Sequence, residues 1–194
     1  MQLTEVSGQI QGALTCVGSD AIIDVFNQIF ERSEATVLRG GADEPFYDPD
    51  DGGLAVIHFR HDYVRSALHE VSHWCLAGPS RRSIPDYGYW YSPDNRDERR
   101  QAAFYQVEVR PQALESVFCD SLGIEFRVSL DNLEITFQDT EAHVFNQQVR
   151  LMKTKLLEQG LPRRAEQFHR ALQARASSHI TADESVPSIA VDLI

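Results

Sequence analysis

His69, Glu70 and His73 form the pattern H-E-x-x-H inside "SALHEVSHWCLAG", residues 66–78. Residues four apart on a helix lie one turn apart on one face, so His69 and His73 can share one ion. Composition alone would produce such a pattern in roughly 2% of chains like this one. Two imidazoles do not complete a site. Catalytic zinc and the two-His-one-carboxylate iron triad both take a third protein ligand. The best donor is Glu108 in "YQVEVRP", flanked by Val107 and Val109, because a carboxylate beside an apolar stripe is costly unless it pairs or ligates a cation. Glu44, Asp86, Asp94 and Glu115 compete with it, whereas His58, in a strand-like stretch, reads as structural. Glu70 has three readings: a general base on metal-bound water, a group behind the ligands, or a carboxylate steering a cationic substrate. Zinc would make the site hydrolytic, as in a metallopeptidase using the motif, and Fe(II) would make it oxidative. Spacing does not decide between them.

These residues need a frame. "SDAIIDVFNQIFERS" places Ile22, Ile23, Phe26, Ile29 and Phe30 at helical spacing, with Ser19 or Asp20 as N-cap. "ATVLRGG" reads as a short strand, "ADEPFYDPDDGG" as a loop, and "LAVIHFR" as a sheet strand. The motif helix spans about residues 62–77, stopped by a left-handed Gly78 and by Pro79. A long loop rich in Tyr, Trp, Pro and Gly follows. A second helical pattern covers "DERRQAAFYQVEVRPQALESVFCDSLG", with Ala103, Val107, Leu114 and Phe118 inward and a kink or break near Arg110 caused by Pro111. "FRVSL" and "LEITF" read as short strands or extended segments. Two more helices follow, "EAHVFNQQVRLMKTKLLEQG" with Val144, Phe145, Val149, Met152 and Leu156 inward, then "LPRRAEQFHRALQARA". The expected fold is α+β: a small sheet packed on helices, with a zincin-like metal site on a central helix. A single catalytic domain is expected over 19–176, with an N-terminal extension over 1–18 and a tail over 177–194.

The whole chain of 194 residues carries 29 acidic against 18 basic side chains, a formal net charge of −11. That balance argues against direct nucleic-acid binding and against an anionic membrane surface, and no apolar run is long enough to span a bilayer. No secretory signal is visible at the N-terminus, so a cytoplasmic protein is the default expectation. Cys16, Cys75 and Cys119, an odd set with no C-x-x-C pair, read as buried thiols rather than a disulfide framework or a zinc site.

Longer stretches carry a resemblance. "ALHEVSHWCLAGPSRRSIPDYGYWYSPDNRDE", "FYQVEVRPQALESVFC", "VSLDNLE" and "GGADEPFYDP" together resemble the elongation factor P hydroxylase family, over about residues 20–175. The resemblance implies a non-haem Fe(II), dioxygen-dependent enzyme that hydroxylates the β-lysylated lysine of translation elongation factor P, the last step of that modification. His69, His73 and Glu108 are then the implied iron ligands. The H-x-D…H arrangement of the common 2-oxoglutarate oxygenases is not seen, so a 2-oxoglutarate requirement is not implied. A modified lysine carries ammonium groups on flexible stems, which Glu70 or Asp86 can hold by charge-assisted hydrogen bonds. Tyr87, Tyr89, Trp90 and Tyr91 would close over the alkyl stem, and Arg81 and Arg82 would face an acidic partner or solvent.

Overall fold

The computed structural model describes residues 17–88, 98–130 and 140–183, and the side chains of 98–102, 140–141 and 179–183 lie outside that description. Among the described residues the fold is α+β, with a three-stranded mixed sheet and six α-helices. Helix α1 (Ser19–Glu34) buries Ile22, Phe26 and Phe30 as its spacing predicts. Its N-cap is Gly18, with no side-chain cap bond, so neither Ser19 nor Asp20 fills that role.

Strand β1 (Thr36–Ala42) runs parallel to β3 (Leu54–Arg60), and β2 (Phe46–Asp51) pairs antiparallel on the other side of β3. The central strand is the apolar "LAVIHFR", in which Ala55, Val56, Ile57 and Phe59 are all buried. β2 lies in the stretch expected to be a loop because of its Pro and Asp content. Pro49 is tolerated because β2 is an edge strand, and its ladder is irregular between Asp48 and Asp51. Gly52 (φ 68°) and Gly53 (φ 99°) close the hairpin between Asp51 and Leu54 in a left-handed turn that side-chain-bearing residues adopt poorly. On the opposite edge, Asn27 of α1 covers β1: its Oδ1 accepts from Leu38 N–H at 2.7 Å and its Nδ2 donates to Leu38 O at 3.3 Å.

Helix α2 (Val64–Leu76) is central and touches α1, β1, β3, α4 and α6. Its end differs from expectation. Ala77 and Gly78 are both extended, and at Gly78 the pyrrolidine of Pro79 disfavours helical backbone. The exposed helix carbonyls are met from across the fold. Arg164 Nη2 donates to the carbonyls of Trp74 (3.0 Å), Cys75 (3.2 Å) and Ala77 (2.6 Å). Pro79 opens the short α3 (Pro79–Arg82), and a tight turn over Pro85–Gly88 follows.

Helix α4 (Glu98–Ser121) runs through Pro111 without a break. The carbonyl that Pro111 deprives of its donor belongs to Val107, a residue 40% exposed. That exposure also corrects the expected stripe. Leu114 and Phe118 face inward, whereas Ala103 and Val107 face out, because Tyr105 stacks on Phe145 at 4.6 Å and Glu108 turns into the protein. Helix α5 (Thr140–Gln159) packs on α4 with Phe145, Val149 and Leu156 buried. Val144, expected inward, is 45% exposed, since its neighbour Phe145 occupies the core. Residues 124–130, including "FRVSL", form no strand and are tied to α4 by Gln112, which accepts from Ser129 N–H (2.9 Å) and donates to Ser129 O (2.8 Å). "LEITF" lies outside the described residues. Helix α6 (Arg163–Asp183) continues past Ala176, into the stretch expected to be a tail.

The core centres on rings from four helices. Trp74 of α2 meets Phe26 and Phe30 of α1 at 5.1 and 4.8 Å, and Phe168 of α6 meets Phe26 and Phe118 at 5.9 and 5.0 Å. Trp74 therefore anchors α2 on one side while its neighbour His73 faces α4. No described helix is long and apolar enough to cross a membrane.

Candidate metal centre

α2 packs against α4, and the contact brings His69, His73 and Glu108 together. His73 Nε2 lies 3.1 Å from His69 Nε2 and 3.3 Å from Glu108 Oε1, and His69 Nε2 lies 3.5 Å from Glu108 Oε2. Ligand atoms about 2.1 Å from one ion stand about 3.0 Å apart at right angles and about 3.4 Å apart at the tetrahedral angle. The two imidazole nitrogens stand within that range, each faces a different Glu108 oxygen at 3.3–3.5 Å, and one ligand atom from each residue lies within 4.8 Å of the others, so the three residues can close on a single ion. Two imidazoles and one carboxylate suit zinc or a non-haem iron equally well. His73 is 6% exposed and Glu108 only 1%, whereas the His69 side chain is 23% exposed. The site therefore reaches solvent on the His69 side.

Glu115, named above as a competing ligand, takes a different place. It lies seven residues after Glu108, two helical turns along the same face. Its Oε2 meets His69 Nδ1 at 3.0 Å, and its Oε1 accepts from Arg65 Nε (3.1 Å) and Nη2 (2.8 Å). Arg65 Nη2 also donates to Arg127 O at 2.5 Å, which joins residues 124–130 to this chain of contacts. A carboxylate on Nδ1 orients the ring, fixes its tautomer and leaves Nε2 facing the other donors. The role is legible in the fold and was missed in the sequence, although the seven-residue spacing was there to be read.

The electrostatics follow from this crowding. Burial works against a proton on His69, but the hydrogen bond to Glu115 and the charges of Glu108 and Glu115 outweigh it, holding the pKa at about 10. Burial would raise Glu108, yet the charge and hydrogen bond of His73, with His69 and Gln112, bring it down to about 2. Without metal, the site thus holds a protonated His69 against ionised Glu108 near neutral pH. An incoming ion must displace that proton, so metal affinity is expected to rise with pH below about 10, by up to about tenfold per pH unit for one proton released. Chelator competition at several pH values checks this, and a flat profile would contradict it.

The remaining expected residues divide. Glu70, half-buried on α2, has its pKa raised first by burial, with His69 and His73 acting against that shift and Glu108 and Asp86 adding to it. Asp86 and Tyr87 belong to the Pro85–Gly88 turn, which reaches the site on the His73 side through the Tyr87 ring. Asp86 Oδ1 accepts from Tyr47 N–H at 2.8 Å, and the Tyr87 ring lies parallel to His73 at 6.5 Å. Tyr89, Trp90, Tyr91 and Asp94 fall outside the described residues. Glu44 is exposed in the β1–β2 connection and is not in the cluster, nor is His58, which stacks on Phe46 at 3.9 Å. Arg82 is not a free surface cation. It pairs with Glu34 at 2.9 Å and lies 5.6 Å over the Trp74 ring. Cys75 and Cys119 are free and buried, and burial pushes both thiols up, Cys119 to about 12.

Comparison with known proteins adds a second line of observation. A family model described as elongation factor P hydroxylase matches residues 25–185. The chain is also 44% identical, over 155 residues, to the elongation factor P lysine hydroxylase of Haemophilus influenzae, covering 79% of this chain and 86% of that protein. Neither match supports the metallopeptidase reading.

Proposed function

Because the chain belongs to the elongation factor P hydroxylase family, we propose that it hydroxylates a lysine of elongation factor P. The finer reading is that the lysine already carries a β-lysyl group, that the oxidant is dioxygen, and that the metal is Fe(II) held by His69, His73 and Glu108. What supports a metal centre is the convergence of those three donors, all within 4.8 Å of one another, from α2 and α4, and what favours iron over zinc there is the hydroxylase family to which the chain belongs. Bound there, Fe(II) supplies the redox chemistry that lets dioxygen oxidise a C–H bond. One oxygen atom enters the product and the other leaves as water, so the balance needs two electrons from a reductant as well as two protons.

The protein's own contribution is placement. Glu115 and Arg65 hold His69 in one orientation, and Gln112 steadies Glu108 while pinning residues 124–130. Glu70 and Asp86 put negative charge on the side where a substrate ammonium would sit, and a partly dehydrated site strengthens that attraction. The aromatic stretch containing Tyr89, Trp90 and Tyr91 completes the reading as a cover over the alkyl stem. A cytoplasmic location, where translation factors are modified, belongs to the same proposal.

The test is a metal exchange. Protein stripped of metal and reloaded with Fe(II) should add one oxygen atom to β-lysylated elongation factor P under air with a reductant present. The same protein loaded with zinc should add none. Equal product with both metals would remove iron from the account, and no product with iron would remove the substrate.

A further inference from the structure

The Pro85–Gly88 turn is held in an unusual way. Asp86 (φ 49°) and Tyr87 (φ 57°) are successive non-glycine residues in left-handed backbone, a conformation that L side chains adopt at a cost. Two contacts with β2 hold it there: Tyr47 N–H donates to Asp86 Oδ1 at 2.8 Å, and the Tyr47 and Tyr87 rings stack at 4.4 Å with planes 16° apart. The result carries the Tyr87 ring alongside the metal ligand His73, nearly parallel to it.

The hydroxyl at the end of that ring has no visible structural use. Tyr87 is 4% exposed and its Oη has no hydrogen-bond partner among the described residues. The contrast with the ring it stacks on is direct, because Tyr47 Oη donates to Arg82 O at 2.8 Å. Burying a phenol without a partner costs stability, and a phenylalanine would pack the same space without that cost. The charges around Tyr87 favour a cationic ligand. Asp86 precedes Tyr87 in the chain, and Glu70 stands one helical turn before His73, the ring that Tyr87 faces; both carboxylates add to the upward shift that burial gives the phenol. Two carboxylates beside a phenol oxygen repel an anion and attract a cation, and the oxygen can accept one further hydrogen bond.

We infer that Tyr87 is a specificity-determining residue whose Oη accepts a hydrogen bond from the terminal ammonium of the substrate side chain, beside the carboxylates of Glu70 and Asp86. The inference rests on the proposed function for its substrate. Its structural half, a hydroxyl kept for a ligand rather than for the fold, stands apart from that reading.

The experiment compares Tyr87→Phe with Tyr47→Phe, the same chemical change at two stacked rings. In metal-free protein, Tyr47→Phe should lower the melting temperature, since it breaks a bond, while Tyr87→Phe should leave it unchanged or raise it. Metal affinity of Tyr87→Phe should equal that of wild type. With β-lysylated elongation factor P, Tyr87→Phe should raise KM at least about tenfold, the size of one hydrogen bond to a charged group, and change kcat less. A melting temperature lowered as much as in Tyr47→Phe would overturn the structural half. An unchanged KM beside an active wild type would overturn the substrate half and leave the proposed function standing. Inactive wild type would instead remove the proposed function, and the ammonium assignment with it.

Discussion

Glu108→Gln is expected to abolish hydroxylation and to weaken metal binding by more than about 100-fold, beyond the loss that follows removal of a supporting residue. The reason is charge as well as geometry. Glu108 is the anionic member of the donor set, it is 1% exposed, and it faces His69 and His73 at 3.5 and 3.3 Å. Glutamine keeps the shape and can still hydrogen-bond, so the helix pair should remain packed. It removes the negative charge that offsets the ion in a poorly hydrated site and leaves a far weaker ligand. Metal titration followed by circular dichroism separates the two effects: binding is lost while helical content is kept. Retention of metal at wild-type affinity would show that Glu108 is not the third ligand.

The largest effect on stability is expected from Trp74→Ala, which should lower unfolding free energy by about 3–5 kcal/mol. Trp74 is fully buried and packs edge-on against Phe26 and Phe30. The guanidinium of Arg164 sits 4.6 Å over its ring, and the same group caps the last carbonyls of α2. Alanine leaves a cavity and frees that cap at once, in a fold whose total margin is about 5–15 kcal/mol. Trp74→Phe should cost much less, because the ring contacts mostly persist and it removes a buried indole N–H that has no partner among the described residues. Urea unfolding of metal-free protein checks both values. Added metal should recover part of the Trp74→Ala loss, since it binds only the folded site.

How far the sequence carried these conclusions depended on whether a feature was local. The i, i+4 histidines and the Gly-Pro stop located α2, and the cost of a carboxylate between two valines located Glu108, which the fold buries beside both histidines. Features set by distant partners were not legible. Strand β2 hides in a Pro- and Asp-rich stretch because its ladder comes from β3 rather than from its own propensity. Ala103, Val107 and Val144 follow the local periodicity but yield to Tyr105, Glu108 and Phe145, which find partners on other elements. Arg164 lies about ninety residues from the helix it caps, so no local pattern connects them. The left-handed backbone at Tyr87 lacks a sequence signal, because aspartate tolerates that conformation at position 86 but an aromatic residue is not expected to follow it there.

In the proposed function, a histidine pair resembling a hydrolase motif serves oxidation. Hydroxylation of β-lysylated elongation factor P by Fe(II)-loaded protein under isotopically labelled dioxygen, followed by mass spectrometry of the modified peptide, addresses it most directly. The modified lysine should gain one labelled oxygen atom, and the gain should vanish in Glu108→Gln. Unlabelled oxygen entering from water, or an unmodified lysine beside cleaved peptide bonds, would contradict the proposed function.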